Sequence, residues 1–250
     1  MKLSFIAPFN AVNEISSLGD MDFCLAPYLK IKEYKDYFLK SKKYTIIDNG
    51  IAENVLIPSK TLIQSTIDIK ANEIIVPDKI GDYKRTKRRR ESFLKKFYPI
   101  LKKNKIKIQS VIQGNNLYEY MNNLKELLDD IRVDVIGIPF RMNYCHFKRT
   151  TKEENRMYNR VFLLKFFENQ MSKPIHCLGT NLPIELLHLK RLNVRSIDSK
   201  LMTRYGLSKK IFNLHDVKKP SKKIYIDKGM MQNSVNITIK NINKLRDILK

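Results

Sequence analysis

The sequence predicts an α/β protein, a TIM-type (β/α)8 barrel forming a single domain over residues 1–250. Three observations lead there. The chain has 250 residues, the usual size of one such barrel and enough for a large core without covalent staples. Short β-branched runs alternate with amphipathic stretches, the signature of a mostly parallel sheet. Several of those runs end in aspartate, glutamine or glycine, as expected where a ring of strands opens onto one rim. A closed barrel is preferred to an open doubly wound sheet, and neither an internal repeat nor a linker divides the chain.

The candidate strands are, in order, Leu3–Ala7, Tyr44–Ile47, Glu73–Val76, Lys107–Ile112, Val133–Ile138, Pro174–Leu178 and Val194–Ile197. Since eight are needed, one unit is expected to be shortened or irregular. The helices between them are Ser59–Lys70, Arg88–Lys103, Leu117–Asp130, Lys152–Gln170 and Pro183–Arg191. Ser59, Thr151 and Asn181 occupy cap-like positions, and Pro183 suits a first turn, where its missing N–H costs nothing. In Arg88–Lys103, Phe93, Leu94, Phe97, Ile100 and Leu101 form one apolar side and basic residues cover the rest. After Arg204 the pattern weakens. GLSKKIFNLHDVKKPSKKIYIDKG (206–229) is basic and without period, followed by a strand-like Ser234–Ile239 and a helix Asn241–Leu249.

Composition narrows the function. Forty-eight Lys and Arg against 25 Asp and Glu give a formal charge of +23, in a chain whose abundance of Lys, Ile and Asn is also what an AT-rich coding sequence would produce. Such a field attracts polyanions, and a nucleic acid is preferred to an acidic protein or a membrane surface. Charge does not choose between DNA and RNA. Cys24, Cys145 and Cys177 are isolated, which argues for a reducing compartment and against a disulfide framework. No membrane span or signal peptide is visible, so a cytoplasmic protein is expected, in the host cytoplasm if phage-encoded. Gly-rich nucleotide-cofactor motifs are absent, and the histidines His146, His188 and His215 have no metal-ligand spacing.

The strand ends carry the chemistry. They read IIDNG (46–50), IIVPDK (74–79), SVIQGN (110–115), VIGIPFR (135–141), IHCLGTN (175–181) and VRSIDSK (194–200). In a parallel barrel Asp48, Asp78, Gln113, Arg141 and Asp198 converge on one rim although they span some 150 residues of sequence. Each has a plainer reading: an Asx turn for Asp48, a helix start for Asp78, a loop entry for Gln113 and Gly114, a helix cap for Asp198. His176, within a strand, reads as a packed core histidine before it reads as a base.

Taken in order, these peptides resemble those of the tRNA-guanine transglycosylases and their shorter, zinc-less relatives that insert 7-deazaguanines into phage and bacterial DNA. IIDNG resembles the family's TDSGG-like strand end, which implies a catalytic role for Asp48. VPDK resembles its FDE-like peptide, whose aspartate reads the base, and so points to Asp78. VIQGN resembles VQGG, with Gln113 and Gly114. IGIPFR resembles the GGLA-like substrate loop, with Gly137, Ile138 and Pro139, and IHCLGTN resembles YLMGVG, with Gly179. IDSKLMTR (197–204) resembles the nucleophile peptide FDCVLPTR, which assigns the nucleophile to Asp198 and aligns Arg204 with the family's arginine.

The resemblance spans residues 44–204. The sequence departs from the family at Ile51, at the VIQGN ending and at Ser199, and it lacks the Cys-x-Cys-x-x-Cys zinc insert of the tRNA enzymes. It therefore implies a DNA guanine transglycosylase, a pentosyltransferase without cofactor or metal. Such an enzyme takes DNA and a free 7-deazaguanine base, the 7-cyano or 7-aminomethyl form. The alternatives are a compact tRNA transglycosylase or a non-catalytic nucleic-acid-binding partner subunit; a homodimer is expected by analogy. The target nucleotide has to be flipped out. Lys79, Lys84, Arg85, Lys87, Arg88, Arg89, Arg90, Arg141, Lys200 and Arg204 are candidate phosphate contacts, with a solvated helix start as the plainer reading of 84–90.

Overall fold

Parallel strands need a crossover between each pair, and the chain supplies a covering segment after every strand. The computed structural model describes residues 1–53, 55, 57–142, 151–180 and 182–250; Cys145, His146 and the candidate cap Asn181 lie outside the described residues. Among the described residues there are eight strands. They are β1 (Lys2–Phe5), β2 (Asp22–Leu25), β3 (Thr45–Asp48), β4 (Glu73–Ile75), β5 (Lys107–Val111), β6 (Val135–Pro139), β7 (Ile175–Leu178) and β8 (Ser196–Ser199). All ladders are parallel, in the order β1-β8-β7-β6-β5-β4-β3-β2. The remaining seam between β1 and β2 is bridged where Asp20 N–H donates to the Leu3 carbonyl at 2.7 Å and Leu3 N–H to Asp20 Oδ2 at 2.9 Å. The chain is a TIM-type (β/α)8 barrel.

The helices are α1 (Val12–Ile15), α2 (Lys32–Lys40), α3 (Ser59–Asp68), α4 (Tyr83–Lys103), α5 (Leu117–Asp129), α6 (Lys152–Phe166), α7 (Pro183–Lys190), α8 (Leu201–Leu207) and α9 (Gln232–Leu249). The shortened unit is the first, where α1 is a single turn flanked by 3-10 turns.

Several sequence expectations need correction. β2 and α2 escaped the periodicity. DFCL has no β-branched residue, so a reading built on β-branched runs passes over it. In α2 the buried pair Tyr34 and Phe38 sits among seven polar or exposed residues. Ser234–Ile239 is helix, not strand. It alternates on paper, yet Ser234, Val235, Thr238, Asn241, Ile242 and Leu245 form the buried face of α9 at helical spacing. Polar members of that face are satisfied: Asn241 Oδ1 accepts from Phe212 N–H at 3.0 Å and its amide donates to the Lys210 carbonyl at 2.9 Å.

α4 begins five residues earlier than the apolar pattern suggests, because Asp82 caps it by accepting from Arg85 N–H at 2.9 Å. Ser59 is the first helical residue of α3 rather than its cap; Pro58 holds the cap position without a side-chain bond. Thr151 caps α6 in a reciprocal box with Glu154, each side chain meeting the other's backbone N–H at 3.1 Å.

Candidate functional site

The carboxyl ends of the strands enclose a cavity of about 410 Å³, within the roughly 300–1,000 Å³ range of small-ligand sites. Asp48, Asp78 and Asp198 all line it, brought there from the ends of β3, β4 and β8. Gln113, Pro139, Arg141, Gly179, Lys200 and Arg204 line it as well.

Asp48 is the last residue of β3, and its Oδ2 accepts from Gly50 N–H at 3.0 Å. That turn requires glycine. Gly50 has φ +82°, and a Cβ there would lie 2.3 Å from Pro27 Cγ. Burial pushes the Asp48 carboxyl up to about 7; the neighbouring Asp78, Asp198 and Glu53 charges push the same way, and the Gly50 N–H opposes them.

Asp78 follows β4 after the ladder is prolonged by Val76 N–H to the Gln109 carbonyl at 2.9 Å. Its Oδ2 accepts from Gln113 Nε2 at 2.7 Å and its Oδ1 from Asn49 Nδ2 at 3.4 Å. Gln113 is itself fixed, its Oε1 accepting from Gly81 N–H at 3.0 Å. Burial raises the Asp78 carboxyl above the usual range, and the two amides and the Arg89 charge partly offset this.

Asp198 projects from β8. Its Oδ1 accepts from Gly179 N–H at 3.0 Å and faces His176 Nε2 at 3.2 Å. Gly179, at φ +66°, turns that N–H toward the carboxylate. Below the turn the buried Arg160 donates to the Leu178 and Gly179 carbonyls at 3.1 and 2.8 Å and to Glu185 Oε1 at 2.9 Å. A buried, paired guanidinium thus fastens the loop that fastens Asp198.

The three carboxylates therefore have different surroundings: one protonated near neutrality, one met by amide donors, one held by a backbone N–H and an imidazole. Such separation of environments suits separate acid–base, recognition and nucleophilic roles.

Not every sequence-predicted residue reaches the cavity. Gly137 and Ile138 belong to β6 and not to a loop after it; Ile138 points outward into the helix-facing core, and a Cβ on Gly137 would meet Gln109, Val111 and Leu178. Pro139 alone of the three lines the site. Gly114 packs against Glu119 and Tyr120 at the start of α5.

The basic run of α4 also lies off the cavity lining. Arg90 is 2% exposed and bonded toward Asn123 and Glu126, so it is no phosphate contact. Lys87 pairs with Glu126 at 2.6 Å, Arg85 with Asp82 at 3.3 Å, and Arg89 donates to the Asp78 carbonyl. Lys84 and Arg88 are exposed on the outside of the helix.

Sequence reading missed the residues that complete the mouth. Phe23, Tyr28, Phe140 and Tyr225 are its aromatic walls, and Glu53, Lys219 and Lys223 join its charges. Lys200 pairs with Glu53. Lys219 and Arg141 lie over the Phe140 ring, 5.8 and 5.3 Å from its centroid. Burial lowers the affinity of Lys219 and Arg204 for their protons, as do neighbouring cations. Lys219, Lys223 and Tyr225 come from the segment without period that follows α8. It is pinned across the mouth by Phe9 N–H to the Ile226 carbonyl at 3.0 Å and Thr151 Oγ1 to the Val217 carbonyl at 3.0 Å. Its basic composition was the one available signal.

Among the described residues no group of His, Cys, Asp and Glu is placed to hold a metal ion, and no helix is long and apolar enough to cross a membrane. Comparison of the chain with protein-family models and with curated proteins found no match.

Proposed function

We propose that this protein is a guanine transglycosylase that exchanges a guanine base in DNA for a 7-deazaguanine, the 7-cyano or 7-aminomethyl form. The observation that carries the reading is the meeting of Asp48, Asp78 and Asp198 in one cavity, each in a different chemical setting. The ordered resemblance of the strand-end peptides points to the same chemistry.

In this reading Asp198 attacks C1′ of the flipped nucleotide. The C1′–N9 bond breaks and its electron pair leaves with guanine, which takes a proton from Asp48. The sugar stays in the strand as an ester of Asp198, the strategy of retaining glycosidases. The incoming 7-deazaguanine returns its N9 proton to Asp48, forms the new C1′ bond and releases the carboxylate. Asp78 accepts from the N1–H and exocyclic amine of either base, oriented by Gln113. Tyr28, Phe140 and Tyr225 offer faces for stacking, and Arg141, Arg204 and Lys219 hold the backbone phosphates beside the mouth.

The test is incorporation of labelled guanine into duplex DNA and into tRNA, offered separately. Label entering DNA and lost in Asp198→Ala is expected. Label entering tRNA alone overturns the DNA assignment, and alkali-labile abasic sites without incorporation would indicate water as the acceptor.

A further inference from the structure

We infer that His176 is a positioning residue for Asp198, the end of a buried hydrogen-bond relay that fixes one carboxylate oxygen and leaves the other to attack; the inference rests on the transglycosylase reading. His176 is fully buried, and its ring stacks on Phe23 with centroids 5.7 Å apart and planes 13° from parallel. Packing alone accounts for that. It does not account for the polar chain that runs through the ring.

The chain starts at the floor of the barrel. Glu73 of β4, fully buried, takes a two-pronged contact from Arg195 at 2.7 and 3.0 Å and accepts from Tyr44 Oη at 2.7 Å. Arg195 Nε donates to Ser196 Oγ at 3.1 Å, and Ser196 Oγ lies 2.9 Å from His176 Nδ1. His176 Nε2 then reaches Asp198 Oδ1 at 3.2 Å. Directions follow from the ends. A carboxylate only accepts, so the ring proton sits on Nε2, where it donates to Asp198. Nδ1 is then the acceptor, and Ser196 Oγ, which accepts from the Arg195 guanidinium, sends its own proton there. The tautomer is set at the Asp198 end, and the Arg195–Glu73 pair supports it by keeping the Ser196 proton turned toward Nδ1.

Oδ1 of Asp198 thereby receives two donors, the Gly179 amide at 3.0 Å and the imidazole. Two donors on one oxygen restrict rotation of the carboxylate and fix the direction of Oδ2. In the ester intermediate the same donors face the acyl oxygen and stabilise the carboxylate as it departs. Misplacement of a reacting group by about 1 Å can cost on the order of 10²-fold in rate, which sets the scale of the effect.

Base exchange by His176→Leu and His176→Gln tests the role. The leucine variant is expected to lose about 10²-fold in kcat with KM for guanine unchanged, and the glutamine variant, whose amide N–H can replace the Nε2 donor, to recover most of it. Equal activity of wild type and both variants overturns the inference, as does equal loss in both with their folds intact by circular dichroism. Nitrogen NMR of the imidazole provides an arm that needs no turnover. The wild-type ring should carry its proton on Nε2, Asp198→Ala should release the tautomer, and the ring signal should shift in Ser196→Ala. A proton on Nδ1 in the wild type overturns the relay. Should the relay signals stand while wild-type protein exchanges no base, the transglycosylase reading fails and the hydrogen-bond relay does not.

Discussion

At the residue scale, the property most open to measurement is the protonation of Asp48. Its buried carboxyl holds a proton up to about pH 7, so an acid that serves the departing guanine is lost as pH rises through that value. The rate of exchange is expected to fall along that limb, and Asp48→Asn should abolish turnover at every pH. Stability moves with it. The unfolded chain releases this proton near pH 4 and the folded chain near 7, so the folded state binds more protons in between and loses stability as pH rises across that window. Asp48→Asn should therefore raise the melting temperature at pH 8 and barely change it at pH 4, with a ceiling of about 4 kcal/mol. A melting temperature lowered at pH 8 would contradict the burial argument. Gly50→Ala tests the turn beneath: with φ at +82° and Pro27 Cγ 2.3 Å from the added carbon, it should cost more than about 1 kcal/mol in denaturant unfolding. Asp48, Asp78 and Asp198 were legible in the sequence because each lies at the end of a strand-like run. Tyr225 and Lys219 were not, since nothing in a segment without period says which side chains turn inward.

At the scale of elements, α6 and α7 are joined beneath the site by a fully buried Arg160–Glu185 pair that also holds the Leu178 and Gly179 carbonyls. Glu185→Ala leaves a buried guanidinium with its charge uncompensated and should cost about 3–5 kcal/mol, read by denaturant unfolding; a cost under about 1 kcal/mol would sink that account. The two basic surfaces make a second contrast. Lys84 and Arg88 face solvent on α4, whereas Arg204 and Lys219 line the cavity mouth. Changing Arg204 and Lys219 to glutamine should weaken binding of a short DNA duplex about tenfold or more and flatten its salt dependence, by roughly one unit of slope per lost phosphate contact. The same change at Lys84 and Arg88 should do neither, and the reverse result would return strand binding to α4. The sequence pattern located that basic helix but not its direction. Arg90 falls on the buried side because it lies one turn before Phe93 and Leu94, and there it pairs toward Glu126.

For the whole molecule, the barrel was readable from chain length, the alternation of short runs with helices and the polar strand ends, with one unit expected to be irregular; that unit is the first. β2 and α9 were obscured by their composition. A strand of Asp, Phe, Cys and Leu has no β-branched residue to mark it, and a helix whose buried face includes Ser234, Thr238 and Asn241 loses its apolar stripe. The fold's contribution to function is to bring residues distant in sequence to one mouth, under a basic segment that is pinned at Phe9, after β1, and at Thr151, the cap of α6. The covalent step can be seen directly. Protein mixed with duplex DNA, then denatured, digested and weighed by mass spectrometry, should yield a peptide containing Asp198 with a nucleotide attached. That adduct should be absent in Asp198→Ala and should disappear when excess guanine is added before denaturation. An adduct on another residue, or base exchange that proceeds with Asp198 removed, would contradict the central claim.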